Sequence, residues 1–259
     1  MSTIDGVNVH VEGTGDTTIV MVHGWPDTWR MWEPQVAAFR DRYRCVRFSL
    51  PGFEPGSSRA AHSLDEIVAL LRDIVDQVSP DWPVILMLHD WGCVFGTQFY
   101  AAHPDRVSRV VMVDIGDPRT LMGSWGPREL FLVGAYQSVL AAAWVVGGRA
   151  GDTMTRAMAR VLRSPADQRA LVHAGMDYPY FIQLTGRHGS YWRLARFEPT
   201  CPVYFAYGRR KPLQFFAPEW ADALAKRPGN RVVGYDTGHW VTVEAAEEFN
   251  RSVLEWSGG

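Results

Sequence analysis

Cysteine is scarce. Cys45, Cys93 and Cys201 are odd in number and far apart, which argues against a disulfide scaffold and fits a reducing, cytoplasmic setting. The spacings CxxC, HxH and HExxH are all missing, so neither a metal site nor a cofactor is expected. No one sign of charge dominates. The formal net charge is −2, too small to provide the basic field that nucleic acid or an acidic membrane surface requires. No apolar run reaches the roughly 18 residues of a membrane span. The opening stretch "MSTIDGVNVHVEG" lacks the charged-then-apolar pattern of a secretory leader. Internal repeats and low-complexity segments are not evident. The expected partner is therefore a small molecule, with neither nucleic acid nor membrane, and a homodimer is left open.

What is present fits an ordinary folded domain. The 259 residues are 47% hydrophobic and 21% charged, enough for one large domain or a domain with an insertion. Eleven tryptophans point either to an aromatic core or to an apolar substrate pocket.

Short apolar runs alternate with helical stretches. "TTIVMVHG" (17–24), "YRCVRFSLPG" (43–52), "WPVILMLHD" (82–90) and "VSRVVMVDIG" (107–116) read as strands. "SLDEIVALLRDIVDQV" (63–78) reads as a helix, with Ser63 and Glu66 spaced as a capping box. Strands return with "CPVYFAYG" (201–208) and "NRVVGYDTG" (230–238), and the final "VEAAEEFNRSVLEWS" is helical. This order predicts an α/β fold with a mainly parallel central sheet and helices on both faces. From 117 to 196 the pattern is helical throughout. "RELFLVGAYQSVLAAAWVVGG" (128–148) forms one helix ending at a glycine pair. "SPADQRALVHAG" (164–175) reads as another, with Ser164 as N-cap and Pro165 at the first helical position. Residues 117–196 thus form an inserted helical cap, and 1–116 with 197–259 form the core domain.

The chemistry should lie beyond the carboxyl ends of the strands. A strand runs straight into "HDWG", placing Asp90 at the apex of a strand–turn–helix elbow. A carboxylate there can act as a nucleophile through an ester that water later cleaves; the alternative is a helix N-cap. Leu88 stands two residues before the apex, where a glycine is usual. His239 in "DTGHWV" follows the last strand, in position to serve as general base. A base histidine needs an orienting acid. The loop "GRRKP" offers none and has Lys211 instead, so Asp114 at the end of "VVMVD" is the candidate, with Asp117 as substitute. In "HGWPD" the backbone N–H of Trp25, together with that of Trp91, supplies two donors for an oxyanion. His23 lies on the same edge and is placed with the substrate-binding candidates. Cys93, inside the helix after the elbow, is not positioned to replace Asp90.

"HGWPD", "HDWG", "VDIG" and "TGHW", in this order, resemble the α/β-hydrolase superfamily, and within it the branch with an aspartate nucleophile, the epoxide hydrolases and haloalkane dehalogenases. The resemblance implies the α/β-hydrolase fold, Asp90 as nucleophile, His239 as base and Asp114 as acid. It also implies cap tyrosines that protonate an opening epoxide. Tyr136-Gln137 resembles the Tyr-Gln pair of epoxide hydrolase caps. Tyr191-Trp192-Arg193 resembles a second tyrosine motif with its order changed, and Tyr178 and Tyr180 are further candidates. Haloalkane dehalogenases typically place Asn where this chain has Trp25. Epoxide opening is therefore the first expectation, dehalogenation of haloalkanes or haloacids the second, and a binding protein without turnover the third.

Overall fold

The computed structural model describes residues 2–166, 168–189 and 191–258, without the side chains of Met122 and Gln168. Eight strands form one sheet: β1 (Ser2–Ile4), β2 (Val7–Glu12), β3 (Thr18–Val22), β4 (Arg44–Phe48), β5 (Val84–His89), β6 (Val107–Val113), β7 (Val203–Gly208) and β8 (Arg231–Tyr235), in the order β1-β2-β4-β3-β5-β6-β7-β8. Pairing is parallel from β4 to β8, as expected; β1 and β2 add an antiparallel edge. These two short strands are not foreseen in the sequence reading, although "VNVHVE" alternates in the manner of a strand.

The sheet separates two cores. Val20, Val22, Leu86, Leu88, Val110 and Met112 face one side; Ile19, Met21, Ile85, Met87, Val111 and Val113 face the other. Alternation along each strand fixes the register, because a slip of one residue would exchange the two sets. Helices α1 (Glu33–Phe39) and α10 (Ala246–Ser257) cover the second face. Helices α2 (Leu64–Val78), α3 (Trp91–Ala102) and α8 (Pro218–Ala225) cover the first. The capping box at Ser63 is formed: its hydroxyl accepts from the Glu66 N–H and the Glu66 carboxylate accepts from the Ser63 N–H. The final helical stretch is broken into α9 (Val241–Glu244) and α10 at Ala245, whose φ of −129° and ψ of 39° are not helical.

Between β6 and β7 the described residues hold helices and no strand: α4 (Pro118–Ser124), α5 (Pro127–Val146), α6 (Gly148–Val161) and α7 (Tyr178–Thr185). Helix α5 ends at the glycine pair, where Gly147 adopts a φ of 61°. The helix expected over 164–175 is not formed. Two 3-10 turns, Gln168–Ala170 and Ala174–Asp177, stand there instead, and Asp167 lies outside the described residues. Tertiary tethers override the local pattern. Arg156 on α6 donates to the Val172 carbonyl, and Asp152 accepts from the Ala174 N–H. These bonds hold the segment along α6 rather than in a helix of its own. The expectation that nothing reaches membrane-spanning length also has an exception, since α5 is long and apolar enough by length and composition. It packs on α6 and α7, with Leu140 and Trp144 buried.

Candidate active site

The carboxyl ends of β3, β5, β6 and β8 bring the candidate residues together. Asp90 follows β5 with φ 53° and ψ −123°, and its side chain makes no helix-capping bond. Such a conformation costs on the order of 1–3 kcal/mol in a non-glycine residue, so the surroundings must hold it. They do so by close approach: a Cβ on Gly24 would collide with the Asp90 carboxylate and the Trp91 N–H, and one on Gly92 with the Val22 carbonyl. Leu88 is accommodated because it packs over Gly96, where a Cβ would strike its methyl groups.

The two oxygens of Asp90 have different surroundings. Oδ1 accepts the Trp25 N–H at 2.7 Å, and the Trp91 N–H also donates to this carboxylate. Oδ2 lies 3.4 Å from Nε2 of His239. The other ring nitrogen of His239, Nδ1, donates to Oδ2 of Asp114. Asp114 is fully buried, and its Oδ1 accepts the Gly208 N–H at 3.1 Å. The order Asp90, His239, Asp114 is thus a continuous chain of polar contacts. Asp117 takes no part; its Oδ1 caps α4 through the Arg119 N–H at 3.1 Å.

Charge sets the protonation of this chain. Burial opposes ionisation of Asp114, but Lys211 and His239 outweigh it and hold its pKa down to about 2. Burial would lower the His239 pKa; the charge and hydrogen bond of Asp114, reinforced by Asp90, raise it to about 9. Burial likewise opposes ionisation of Asp90, and His239 outweighs it, so its pKa is lowered. The imidazole is therefore a cation between two carboxylates until Asp90 loses its charge. Among the described residues, no group of three or more His, Cys, Asp or Glu side chains is arranged to hold a metal ion.

Aromatic rings close the site from the side of the insertion. Tyr180 lies against Trp25, Trp91 and Tyr136, with centroid distances of 5.8, 5.5 and 6.0 Å. Tyr136 and Tyr180 both feel the Asp90 charge, which adds to burial in raising their pKa values. Gln137 donates weakly to the Tyr136 hydroxyl at 3.4 Å. Asp90 is left only 8% exposed.

Comparison with known proteins fits this geometry. The family model for the alpha/beta hydrolase fold matches residues 17–142, a span containing the Trp25 turn, the Asp90 elbow, Asp114 and Tyr136. An epoxide hydrolase from Bacillus megaterium, solved as a point mutant, superposes with a TM-score of 0.76 at 17% identity, over 100% of this chain and 99% of that one. An esterase from Exiguobacterium antarcticum superposes with a TM-score of 0.71 at 15% identity, over 99% and 98% of the two chains. This chain is an α/β-hydrolase-fold protein. Among curated relatives, epoxide hydrolase 1 of Caenorhabditis elegans is 30% identical over 119 residues, covering 43% of this chain and 29% of the relative. The probable oxidoreductase EphD of Mycobacterium tuberculosis is 35% identical over 116 residues, covering 41% and 19%. The match therefore spans less than a third of either relative's length.

Three substrate-binding candidates of this α/β-hydrolase-fold protein are corrected by their contacts. His23 is fully buried; Nδ1 lies 2.9 Å from the Gly24 carbonyl, and Nε2 accepts the Leu50 N–H at 2.9 Å. Burial holds its pKa down to about 4, so it is a neutral brace for two loops. Tyr191 spends its hydroxyl on the His62 carbonyl at 2.8 Å, while its ring packs on Trp91 and Phe95. Trp192 is 67% exposed and donates to the Gln183 carbonyl. The second tyrosine at the site is Tyr180, which packs against Trp91 and Tyr136.

Several supporting residues were not foreseen. Lys211 fills the loop where no acid was found and donates its ammonium to Oδ2 of Asp114. Asp177, fully buried, accepts the Trp25 indole N–H at 2.7 Å and the Thr155 hydroxyl at 2.5 Å. Burial pushes its pKa well above the usual carboxylate range. Asp27 accepts the Trp240 indole N–H at 3.0 Å, and Nε2 of His89 lies 3.2 Å from the His239 carbonyl. His89, its pKa lowered to about 3 mainly by burial, stays neutral and can donate to that carbonyl. "HGWPD" already contained Asp27 as a signal; nothing local marked Asp177.

Proposed function

We propose that this chain is an epoxide hydrolase acting through a covalent ester on Asp90, with 117–196 as its cap and a small apolar epoxide as substrate. The reading rests chiefly on one observation: two tyrosines, Tyr136 and Tyr180, meet beside a carboxylate that accepts two backbone N–H groups, that of Trp25 on Oδ1 and that of Trp91.

In the first step Oδ2 attacks an epoxide carbon, the ring C–O bond breaks, and a tyrosine hydroxyl protonates the leaving oxygen. Alkylation removes the negative charge of Asp90, and with it one cause of the raised His239 pKa. The imidazolium then passes its proton through solvent to the tyrosinate and becomes a base. In the second step Nε2 takes a proton from water, which attacks the ester carbonyl carbon. Negative charge collects on Oδ1, which the Trp25 N–H already meets, with the Trp91 N–H on the same carboxylate. Collapse breaks the bond between that carbon and Oδ2, and His239 protonates the departing alkoxide to give the diol. The remaining water proton, first on the Asp90 carboxyl, returns to His239 and restores the imidazolium beside the carboxylate.

The dehalogenase reading uses the same ester but needs N–H donors for halide. Here the Trp25 indole is committed to Asp177 and the Trp91 indole to the Tyr180 hydroxyl, which counts against it. The binding-protein reading leaves the strained Asp90 without a purpose.

The test is His239→Gln, which lacks the base for ester cleavage. Incubated with aryl and alkyl epoxides, it should gain the mass of the whole epoxide on Asp90, located by peptide mapping. A gain equal to an alkyl halide or haloacid minus halide would transfer the assignment to dehalogenation. No adduct from any of these on a folded protein would sink both.

A further inference from the structure

We infer that the outer face of the helical insertion docks on an anionic lipid surface. Of the ten large apolar side chains exposed among the described residues, all but Trp82 lie between 130 and 192. They are concentrated on α5, where Phe131, Val145 and Val146 are 74%, 64% and 56% exposed. With Leu132 and Val139, these residues recur at helical spacing and share one side of the helix. The opposite side carries Tyr136 toward the site and buries Leu140 and Trp144. A folded protein does not ordinarily leave so long an apolar strip in water.

Charge selects the occupant. The segment 117–196 carries ten arginines and no lysine against five acids, in a chain whose overall charge is −2. Arg128 stands on the apolar side of α5, Arg149 begins α6, and Arg160 adjoins Val161, 72% exposed, at its end. These three arginines are exposed and form no ion pair among the described residues. Apolar side chains flanked by arginine are the composition of a helix lying in the headgroup layer of an acidic bilayer. A second copy is a poorer partner, because it would bring two basic insertions together. Because α5 is packed on α6 and α7, it rests on the lipid rather than crossing it. An apolar substrate would also concentrate in that layer; this last consequence alone depends on the proposed function.

Vesicle flotation of the whole chain tests the inference without reference to turnover. The probes are phosphatidylcholine vesicles and vesicles of phosphatidylcholine with phosphatidylglycerol. The chain should float with the second kind, less with the first, and release at high salt. Phe131→Asp with Val145→Asp should lower the bound fraction about tenfold or more. Arg149→Glu with Arg160→Glu should weaken binding to the acidic vesicles selectively. All four positions are exposed, so thermal melts of the variants should match the parent; should the aspartate pair unfold, the arginine pair alone decides. The inference fails if the chain floats with neither vesicle, or if the variants float like the parent. It also fails if light scattering without lipid finds a dimer that Phe131→Asp dissociates, which would make the strip a subunit interface.

Discussion

Lys211 donates its ammonium to the same Oδ2 of Asp114 that receives the Nδ1–H of His239. The acid is thereby shared between two cations, and the field it exerts on the imidazole is weakened. Burial lowers the lysine pKa while Asp114 opposes that shift. Replacing Lys211 by Met removes one cation, and Asp114 then holds the His239 proton more tightly. In the proposed reaction the base must lose that proton to cleave the ester. When ester cleavage limits turnover, the acid limb of the kcat–pH profile should move to higher pH in Lys211→Met and remain in place in Lys211→Arg. An unmoved limb in a folded Lys211→Met protein would show that Lys211 serves packing alone.

Asp114→Asn and Asp117→Asn separate the two acids. The first removes the orienting charge and should lower kcat about a hundredfold or more. The second alters a helix cap and a bond to the Phe197 backbone, neither of which reaches His239, and should leave kcat within a few-fold. A reversal, read from steady-state kinetics, would overturn the assignment of Asp114.

In the proposed reaction either tyrosine can protonate the opening ring. Tyr136→Phe and Tyr180→Phe should each slow ester formation roughly tenfold, and the double variant about a thousandfold, within the range of general acid catalysis. Rapid-quench measurement of the Asp90 ester isolates this step. Tyr191→Phe, whose hydroxyl meets only the His62 carbonyl, should leave ester formation unchanged. If it slows that step as much as the other two, the choice of Tyr180 is wrong.

Asp177 links the insertion to the turn that supplies the Trp25 N–H. Its folded pKa is raised, so the folded state holds a proton that the unfolded chain gives up above its ordinary pKa of about 3.9. Stability should therefore fall as pH rises above that value, until the folded carboxyl ionises too. Asp177→Asn keeps an acceptor for the Trp25 indole and gains a donor toward Thr155, whose hydroxyl also meets the Gly151 carbonyl. It should flatten this pH dependence at little cost to stability at neutral pH. Asp177→Leu leaves the buried indole N–H without an acceptor and should cost about 1–3 kcal/mol. Denaturant melts across pH check both.

Much of this protein could be read along the chain, because its local signals agree with its fold. The alternation of β5 leads directly into Asp90, Ser63 and Glu66 announce α2, and the glycines at 92 and 96 mark the elbow; each depends on residues a few positions apart. The order Asp90, Asp114, His239 was legible because strand ends in a parallel sheet lie on one edge whatever lies between them. What had to wait for the tertiary structure was the choice among chemically equal residues. Tyr178, Tyr180 and Tyr191 have the same side chain, and only packing against Trp91 and Tyr136 selects Tyr180 while His62 takes up Tyr191. His23 and His239 both follow strands, yet backbone contacts occupy one and carboxylates face the other. The tethers from α6 unmake the helix expected over 164–175, because bonds across 16 and 22 residues outweigh a weak local preference. Lys211 on Asp114 and Asp177 on Trp25 join residues 97 and 152 positions apart, and a pattern read in windows of a few turns contains nothing of that length.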